Sequence, residues 1–226
     1  MFHFSTPFFR KKAGEGPAGS PASSRLQEAV DGFLREHGLD GDALVYRWNG
    51  KGEEETDREF AEFHRRLEAA VREKRTDLIR DLVVEIVSVW GGIAAGRRLV
   101  REYPPMLLSL DEDEPIGDET RLATWTKVLA AYRPGKFCIY DSRVAVALRV
   151  LFPEKRWFLP APRENRSALC GYLGTDGQMT PRESYAEYMR LLNATGEPVR
   201  YERMLFMLGG LLAYSASEGI VIQSRR

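Results

Sequence analysis

Apolar residues recur every three or four positions through most of this chain, whereas alternation at every second position is almost absent. One segment shows the helical spacing most clearly: Leu78, Ile79, Leu82, Val83, Ile86, Val87 and Trp90. A repeat of this kind places apolar side chains along one side of an α-helix. The sequence therefore predicts an all-α fold with at most one or two short strands, of which residues 44–48 are one candidate.

Residues that commonly begin and end helices divide the pattern into segments. Side chains able to cap a helix N-terminus stand at Ser24, Thr56, Thr76, Asp118, Asp141 and Thr180. Thr180 and Glu183 form a capping box with Pro181 at the first helical position, which predicts a helix over 181–193. Helix ends are predicted at Gly38, at Gly91-Gly92, at Pro104-Pro105 and before Pro153, and a final helix is predicted over 199–216.

The composition favours one folded domain with a flexible lead-in. A chain of 226 residues with 43% apolar content can bury a sizeable core. Residues 13–24 are rich in Gly, Pro, Ser and Ala, which is typical of flexible segments. We therefore expect a flexible segment over 1–24 and a single helical domain over 25–226, acting as a monomer.

Cysteine and histidine are too few to predict a metal or cofactor site. Cys138 and Cys170 cannot supply a four-cysteine cluster or a disulfide framework, and the three histidines are scattered. The first twelve residues lack the apolar core of a signal peptide, and no segment reaches the roughly 18 uncharged apolar residues of a membrane span. We expect a cytoplasmic protein without a cofactor or a membrane partner.

Charge is balanced over the whole chain but uneven along it. The formal net charge is zero, yet residues 121–166 contain ten Lys/Arg against three acidic residues. An acidic stretch, 111–114, comes just before this basic segment. A phosphate backbone would favour the basic segment and avoid the acidic one. The alternative is that the two segments form solvated faces that neutralise each other.

Two residues in the basic segment suggest chemistry, although each has an ordinary structural explanation. Asp141 before an apolar helix is typical of an N-cap, and a single lysine such as Lys127 is usually a solvated surface residue. Lys127 lies on one predicted helix and Asp141 begins the next, 14 positions later. If the second helix packs back against the first, an amine nucleophile and a carboxylate come together.

The sequence around these residues resembles a known family. Trp125-Thr126-Lys127-Val128-Leu129 and Tyr140-Asp141-Ser142-Arg143-Val144 resemble the lysine and Pro-Val-Asp-x-His-Val elements of helix-hairpin-helix DNA glycosylases. The likeness is greatest to bacterial proteins with an 8-oxoguanine DNA glycosylase-like fold, and it covers about Leu122 to Leu151. It implies that Lys127 is the Schiff-base nucleophile and Asp141 the catalytic carboxylate.

The chain departs from that family immediately before the lysine. The usual Leu-Pro-Gly-Val-Gly hairpin is replaced by Leu122-Ala123-Thr124-Trp125-Thr126, and the lysine-to-aspartate spacing is shorter by about one helical turn. Without a glycine there, contacts to DNA phosphates are expected from side chains instead. The expected DNA-contacting residues are Thr124, Thr126, Lys136, Ser142 and Arg143.

Aromatic residues near the motif are candidates for the pocket of an extruded base. Trp90 and Trp125 could stack on a base, but their places on apolar helical stripes favour the core. Trp157, Phe158 and Tyr172 lie in or beside a segment with many glycines and prolines, 154–179, where core packing explains an aromatic less readily. With Tyr140, these three are the predicted base-pocket residues.

The resemblance implies a DNA glycosylase that extrudes a modified base from double-stranded DNA and breaks its N-glycosidic bond. An imine formed with Lys127 would also permit strand cleavage, as in an AP lyase acting in DNA repair by base excision. Two alternatives remain open from the sequence. One is a non-catalytic DNA-binding module of the same fold, and the other is a helical regulatory or interaction protein in which Asp141 is only a cap.

Overall fold

The regular structure of this chain is helical. The computed structural model describes residues 24–40, 44–94, 96–117, 121–160 and 177–217, and within these ranges there are helices but no strands. The helices are α1 (Arg25–Glu36), α2 (Glu53–Arg72), α3 (Thr76–Val84), a π-helix (Glu85–Trp90), α4 (Arg97–Leu108), α5 (Leu122–Tyr132), α6 (Ser142–Leu151), α7 (Pro181–Asn193) and α8 (Pro198–Ser217). The predicted all-α class is confirmed.

The closest helix contacts fall into two groups. In the first group α2 packs on α3 and α5, α3 packs on α4, and the π-helix packs on α5. In the second group α6 packs extensively on α8, α7 also packs on α8, and α1 contacts α6 and α7. The link from Arg133 to Asp141 joins the two groups, and one apolar core is continuous through both. A cleft between the groups can therefore take residues from widely separated parts of the chain.

Three predicted caps are confirmed. The Ser24 side chain accepts a hydrogen bond from the backbone N–H of Gln27, and Asp141 accepts from the N–H groups of Arg143 and Val144. Thr180 and Glu183 form the reciprocal capping box, with Pro181 at the start of α7. Each cap satisfies N–H groups that have no partner inside the helix. Capping depends on neighbours in sequence, which is why the sequence predicts it well.

Two predicted helix boundaries are wrong. Helix α2 begins at Glu53 with Gly52 as N-cap, so Thr56 lies inside the helix and is buried. Three glutamates in the first turn favour this earlier start, because they oppose the positive end of the helix dipole. Helix α4 continues through Pro104 and Pro105 to Leu108. Its Leu99, Tyr103 and Leu107 are buried along one side, and this packing outweighs the disruptive effect of the prolines.

The predicted short strand at 44–48 is also wrong. Residues 45–47 have no regular structure, and Trp48 forms only an isolated bridge with Lys51. Asn49 and Gly50 have positive φ angles of 50° and 79°, as the tight turn of a hairpin requires. No neighbouring segment among the described residues extends the pairing. The segment is instead fixed by its buried side chains, Leu44 and Tyr46.

Several predictions fall on residues that the structure does not describe. The lead-in over residues 1–23, Cys170 and Tyr172 lie outside the described ranges. Asp118 also lies outside them, but the helix predicted to begin there begins at Leu122 with Arg121 as its N-cap. Within those ranges, no helix combines the length and apolar character that a bilayer crossing requires.

Candidate active site

Lys127 lies on a helix that is buried on nearly every side. All residues of α5 from Thr124 to Tyr132 are buried, and the Lys127 side chain is only 4% exposed. Its Nζ atom lies 3.4 Å from Oδ2 of Asp141, whose side chain is 15% exposed. Lys127 is therefore not the solvated surface residue that a single lysine usually is. The structure brings the two motif residues together.

Asp141 uses its two carboxylate oxygens for different contacts. Oδ1 accepts hydrogen bonds from the backbone N–H groups of Arg143, at 3.0 Å, and Val144, at 3.2 Å. Oδ2 faces the side-chain nitrogen of Lys127. The capping bonds fix the orientation of the carboxylate at the start of α6. Asp141 is thus both a cap and the partner of the lysine, which the sequence presented as alternatives.

Thr126 holds the two motif segments in register. Its hydroxyl donates to the carbonyl oxygen of Leu122, at 2.8 Å, and accepts from the backbone N–H of Tyr140, at 3.0 Å. Thr126 precedes Lys127 and Tyr140 precedes Asp141, so this buried bond fixes the separation of the reactive pair. Thr126 acts inside the protein, and the prediction that it contacts a DNA phosphate is wrong because its side chain has no access to solvent.

The lysine and the aspartate line a narrow, partly open cleft with a cavity volume of about 20 Å³, which is room for about one water molecule. The other lining residues are four aromatics, two aliphatics and one acid: Tyr46, Trp48, Trp90, Phe206, Ile139, Val144 and Glu202. The ring of Trp48 lies 6.0 Å from that of Trp90 and 5.3 Å from that of Phe206, measured between centroids. The walls come from both helix groups and from the loop before α2. A planar ligand such as a base would have to widen this cleft to reach the ring faces beside Lys127 and Asp141.

Backbone hydrogen bonding fixes the aromatic wall. The carbonyl oxygen of Trp90 accepts from the indole N–H of Trp48, at 2.9 Å, and from the side-chain amide of Asn49, at 3.0 Å. Trp90 ends the π-helix, where backbone bonding departs from the α-helical pattern and carbonyl groups become free for other partners. The turn after Tyr46 is therefore attached to the end of the π-helix, and Trp48 and Trp90 are held as neighbours.

Glu202 places a second carboxyl group in the cleft. It lies on α8, one turn before Phe206, with its carboxyl group near the backbone N–H of Ile139 and the thiol of Cys138. Burial raises the pKa of Glu202 to about 7, and the nearby negative charge of Asp141 acts in the same direction. Arg203 and the polar groups of Ile139 and Cys138 oppose this shift. The cleft therefore contains a carboxyl group that changes its protonation state near neutral pH.

Arg143 lies beside the same aromatic walls. The centre of its guanidinium is 4.6 Å from the centroid of Phe206 and 5.5 Å from that of Trp48, and the residue is exposed. A cation over ring faces is a favourable arrangement, and the guanidinium remains accessible to an anion. Ser142, partly exposed, is next to it at the start of α6. Arg143 and Ser142 thus lie directly beside Asp141 at the edge of the cleft, and their contact with DNA stays a prediction.

Other predicted site residues lie elsewhere. Thr124 is buried against Tyr103 rather than exposed to a phosphate. Lys136 is paired with Glu112, at 2.6 Å, which belongs to the acidic stretch before the basic segment. Arg133 pairs with the same glutamate, so the two segments neutralise each other at this point, as the electrostatic alternative predicted. Lys136 does not line the cleft.

Three of the four predicted base-pocket residues also lie away from the lining of the cleft. Tyr140 is fully buried and its hydroxyl donates to the carbonyl oxygen of Phe158, while Trp157 is also fully buried. The carbonyl oxygen of Trp157 accepts from the buried Arg149. Phe158 is half-buried but does not line the cleft, and Tyr172 lies outside the described residues. The irregular sequence around Trp157 and Phe158 favours exposed aromatic side chains. In the part of this segment that the structure describes, however, the Trp157 side chain is packed in the core.

The residues that do form the walls were hard to identify from sequence. The place of Trp90 on an apolar stripe favours the core, and no motif in the sequence marks Tyr46, Trp48, Glu202 or Phe206. One available signal was a pair of aromatics, Tyr46 and Trp48, close before the Asn49-Gly50 turn. Another was Glu202, one turn before Phe206 in a helix otherwise rich in apolar residues. Trp125, by contrast, is a core residue as expected, with its indole N–H donating to Pro115.

Comparison with known proteins adds no assignment: no family model, no curated protein and no solved structure matches this chain. Within the described residues, no three His, Cys, Asp or Glu side chains are grouped so that they could hold a metal ion. The cleft with Lys127 and Asp141 is therefore the feature of this protein that bears on its function.

Proposed function

We propose that this protein is a DNA glycosylase, with an associated AP-lyase activity, that acts through Lys127 and Asp141. The observation that carries the proposal is the 3.4 Å separation of Lys127 Nζ and Asp141 Oδ2 at the side of an aromatic cleft. An amine and a carboxylate at this distance can both reach one sugar carbon, as near-attack geometry requires. The sequence resemblance around the two residues independently supports the same chemistry.

In the proposed reaction the free amine of Lys127 attacks the anomeric carbon of the damaged nucleotide. The Asp141 carboxylate, held by its two capping bonds, stabilises the positive charge that develops on the sugar as the base departs. The resulting bond between Lys127 and the sugar can convert to an imine, which allows β-elimination of the strand. Both steps use groups that the cleft places side by side.

The aromatic walls fit the recognition step of such an enzyme. Extruding a base from the duplex costs a few kcal/mol, least for damaged or mispaired bases. Stacking of a base on an aromatic ring contributes about 1–3 kcal/mol, and Trp48, Trp90 and Phe206 offer such rings beside the reactive pair. Modified bases in double-stranded DNA are therefore the proposed substrates.

Arg143 and Ser142 supply the proposed phosphate contacts at the mouth of the cleft. Arg143 is exposed and directly follows the capping segment, so a backbone phosphate bound there would place its nucleotide close to Asp141. We propose a cytoplasmic protein that acts as a monomer, since the described residues of one copy of the chain line the cleft.

Borohydride trapping on duplex DNA with a panel of base lesions tests the proposal. We expect a covalent adduct with at least one lesion or with an abasic site, and its loss in Lys127→Gln. Lys74→Gln is the matched control, because Lys74 lies at the exposed end of α2 and should leave trapping unchanged. Base release without an adduct would contradict the lyase step but leave a glycosylase dependent on Asp141.

The same assay separates the alternatives. Binding that weakens steeply with salt, with neither adduct nor base release, would identify a DNA-binding module without chemistry. Absence of DNA binding at moderate salt would contradict both DNA functions and favour a helical interaction protein.

A further inference from the structure

We propose that Glu202 is a third catalytic residue of the cleft, which as a carboxylic acid gives its proton to the departing base. This inference rests on the proposed glycosylase function and adds to it the acid that protonates the base as it leaves. Lys127 supplies a nucleophile and Asp141 a fixed negative charge, but neither is the acid that a leaving base needs. Glu202 is the remaining acidic residue that lines the cleft.

The position of Glu202 fits this role. It enters the cleft from α8, while Lys127 enters from α5 and Asp141 from the start of α6. Phe206, one turn further along α8, is part of the aromatic wall against which a base would stack. In the proposed complex, a base stacked on Phe206 would lie on the side of Glu202, which is on the same helix, and its sugar on the side of Lys127 and Asp141.

Glu202 lies against the link between α5 and α6. The backbone N–H of Ile139 and the thiol of Cys138 lie near its carboxyl group. These residues are two and three positions before Asp141, so one short segment lies next to both carboxyl groups of the cleft. A carboxyl group held close to the reacting groups is what effective proton transfer requires.

The surroundings of Glu202 favour its protonated form. The charged or ionisable side chains that act on it are Lys127 and Asp141 in the cleft, Arg203 on its own helix, Tyr46 before α2, Cys138 in the link, and Tyr185 and Tyr188 on α7. Arg203 is also engaged by Asp57, which draws its charge away from the cleft. Burial and Asp141 outweigh Arg203 and raise the pKa of Glu202 to about 7. The acid is therefore substantially present at neutral pH.

The step balances in atoms and charge. The nitrogen lone pair of Lys127 forms a bond to the anomeric carbon, and the electron pair of the breaking glycosidic bond stays on the base. The Glu202 proton moves to the base, which leaves neutral, while Glu202 becomes a carboxylate and the Lys127 nitrogen a cation. When that nitrogen loses an N–H proton to the Glu202 carboxylate, the acid is restored.

This role also defines the class of base. A neutral modified base leaves as an anion unless it receives a proton, so its release depends on the acid. A base that already carries a positive charge, such as an N-alkylated purine, leaves neutral without one. We infer that the cleft is adapted to neutral modified bases.

Comparing Glu202→Gln with the wild type on two substrates tests the inference. On a duplex carrying a neutral lesion that the wild type excises, we expect base release to fall roughly 10²- to 10⁴-fold, the usual contribution of a general acid. On a pre-formed abasic site no base departs, so borohydride trapping should remain within about threefold of wild type. Glu197→Gln, an exposed residue just before α8, is the control for the substitution itself.

The pH profile provides a second, independent measurement. Because the acid form is required, wild-type base release should decline as pH rises through about 7, and this decline should be absent in Glu202→Gln. Should Glu202→Gln fail to fold, the wild-type profile decides, and a rate that does not fall above pH 7 overturns the inference.

The outcomes separate the two proposals. Equal base release by Glu202→Gln and wild type, or equal loss of base release and abasic-site trapping, would overturn the role of Glu202 while leaving Lys127 and Asp141 in place. If the wild type neither traps an abasic site nor releases any base, the glycosylase proposal itself fails, and the role of Glu202 fails with it.

Discussion

Gly91 at the end of the π-helix leaves no room for a side chain beside Lys127. A Cβ atom on Gly91 would lie 3.0 Å from Cδ of Lys127 and 2.7 Å from the carbonyl oxygen of Val87. The glycine therefore allows the lysine stem to pass against the backbone of the first helix group and reach Asp141. π-helical turns are frequent at functional sites, and here the turn brings Trp90 and Gly91 to the same cleft.

Replacing Gly91 with alanine should impair the reaction without removing a reactive group. We expect Gly91→Ala to displace the Lys127 side chain and lower borohydride trapping roughly 10- to 100-fold, since small misplacements have effects of this size. Gly32→Ala is the control, because a Cβ on Gly32 in α1 meets nothing within 4 Å. That control should stabilise α1 by about 0.5–1 kcal/mol and leave trapping intact. Unchanged trapping in Gly91→Ala would contradict the tight contact.

Adjacent glycines in α8 should respond in opposite ways to alanine. A Cβ atom on Gly209 would lie 1.9 Å from the carbonyl oxygen of Arg143. A Cβ atom on Gly210 would lie 3.6 Å from the guanidinium of Arg143, which is an ordinary contact distance. Gly209→Ala should lower the free energy of unfolding by about 1–3 kcal/mol, because the added methyl group overlaps the backbone of α6 and pushes α6 away from α8. Gly210→Ala should be neutral or slightly stabilising. Urea denaturation of both variants tests this, and equal effects would contradict the close approach of α6 and α8.

A double-mutant cycle can separate the capping role of Asp141 from its contact with Lys127. Asp141→Asn retains a side-chain oxygen that caps α6, so its effect on stability reports mainly the lost ion pair. Combining it with Lys127→Met should give a coupling energy of about 0.5–3 kcal/mol, measured by chemical denaturation at pH 7. Additive losses would indicate that the two residues do not interact in solution.

Stability at low pH should depend on Glu187. Arg190 and Lys155 lower the pKa of Glu187 to about 2, from an ordinary value of 4.5. A lowered pKa stabilises the folded state above pH 4.5, and this contribution is lost as pH falls from about 4.5 to 2. Glu187→Gln should therefore be less stable than wild type by about 1–3 kcal/mol at pH 7, and the difference should nearly vanish at pH 2.

Urea unfolding at pH 7 and at low pH measures this dependence. Glu62→Gln is the control, since Glu62 forms a comparable ion pair with Arg65 on the exposed side of α2, where solvent screens it. The control should show a smaller pH dependence. Equal pH dependence for the two variants would contradict a special contribution of Glu187.

Local contacts explain which features could be predicted from the sequence. The caps at Ser24, Asp141 and Thr180 form between residues at most three positions apart, so the side chains themselves specify them. The helical repeat likewise depends on neighbours along one helix. The separation of 14 residues between Lys127 and Asp141 allows contact without requiring it, and the sequence resemblance was what marked the two residues as a pair. These features were visible in the sequence because their partners are close in sequence.

The sequence alone determined the helical class, three of the caps and the candidate pair of Lys127 and Asp141. Only the tertiary structure decided that the cleft walls come from Tyr46, Trp48, Trp90 and Phe206, and that Glu202 joins the pair. It also turned Tyr140 and Trp157 inward, although both lie near the motif. The physical reason is that periodicity shows that one side of a helix is buried but not which distant segment covers it. The contact between Trp48 and Phe206, for example, joins residues from the loop before α2 and from α8, and only packing of the two helix groups brings them together.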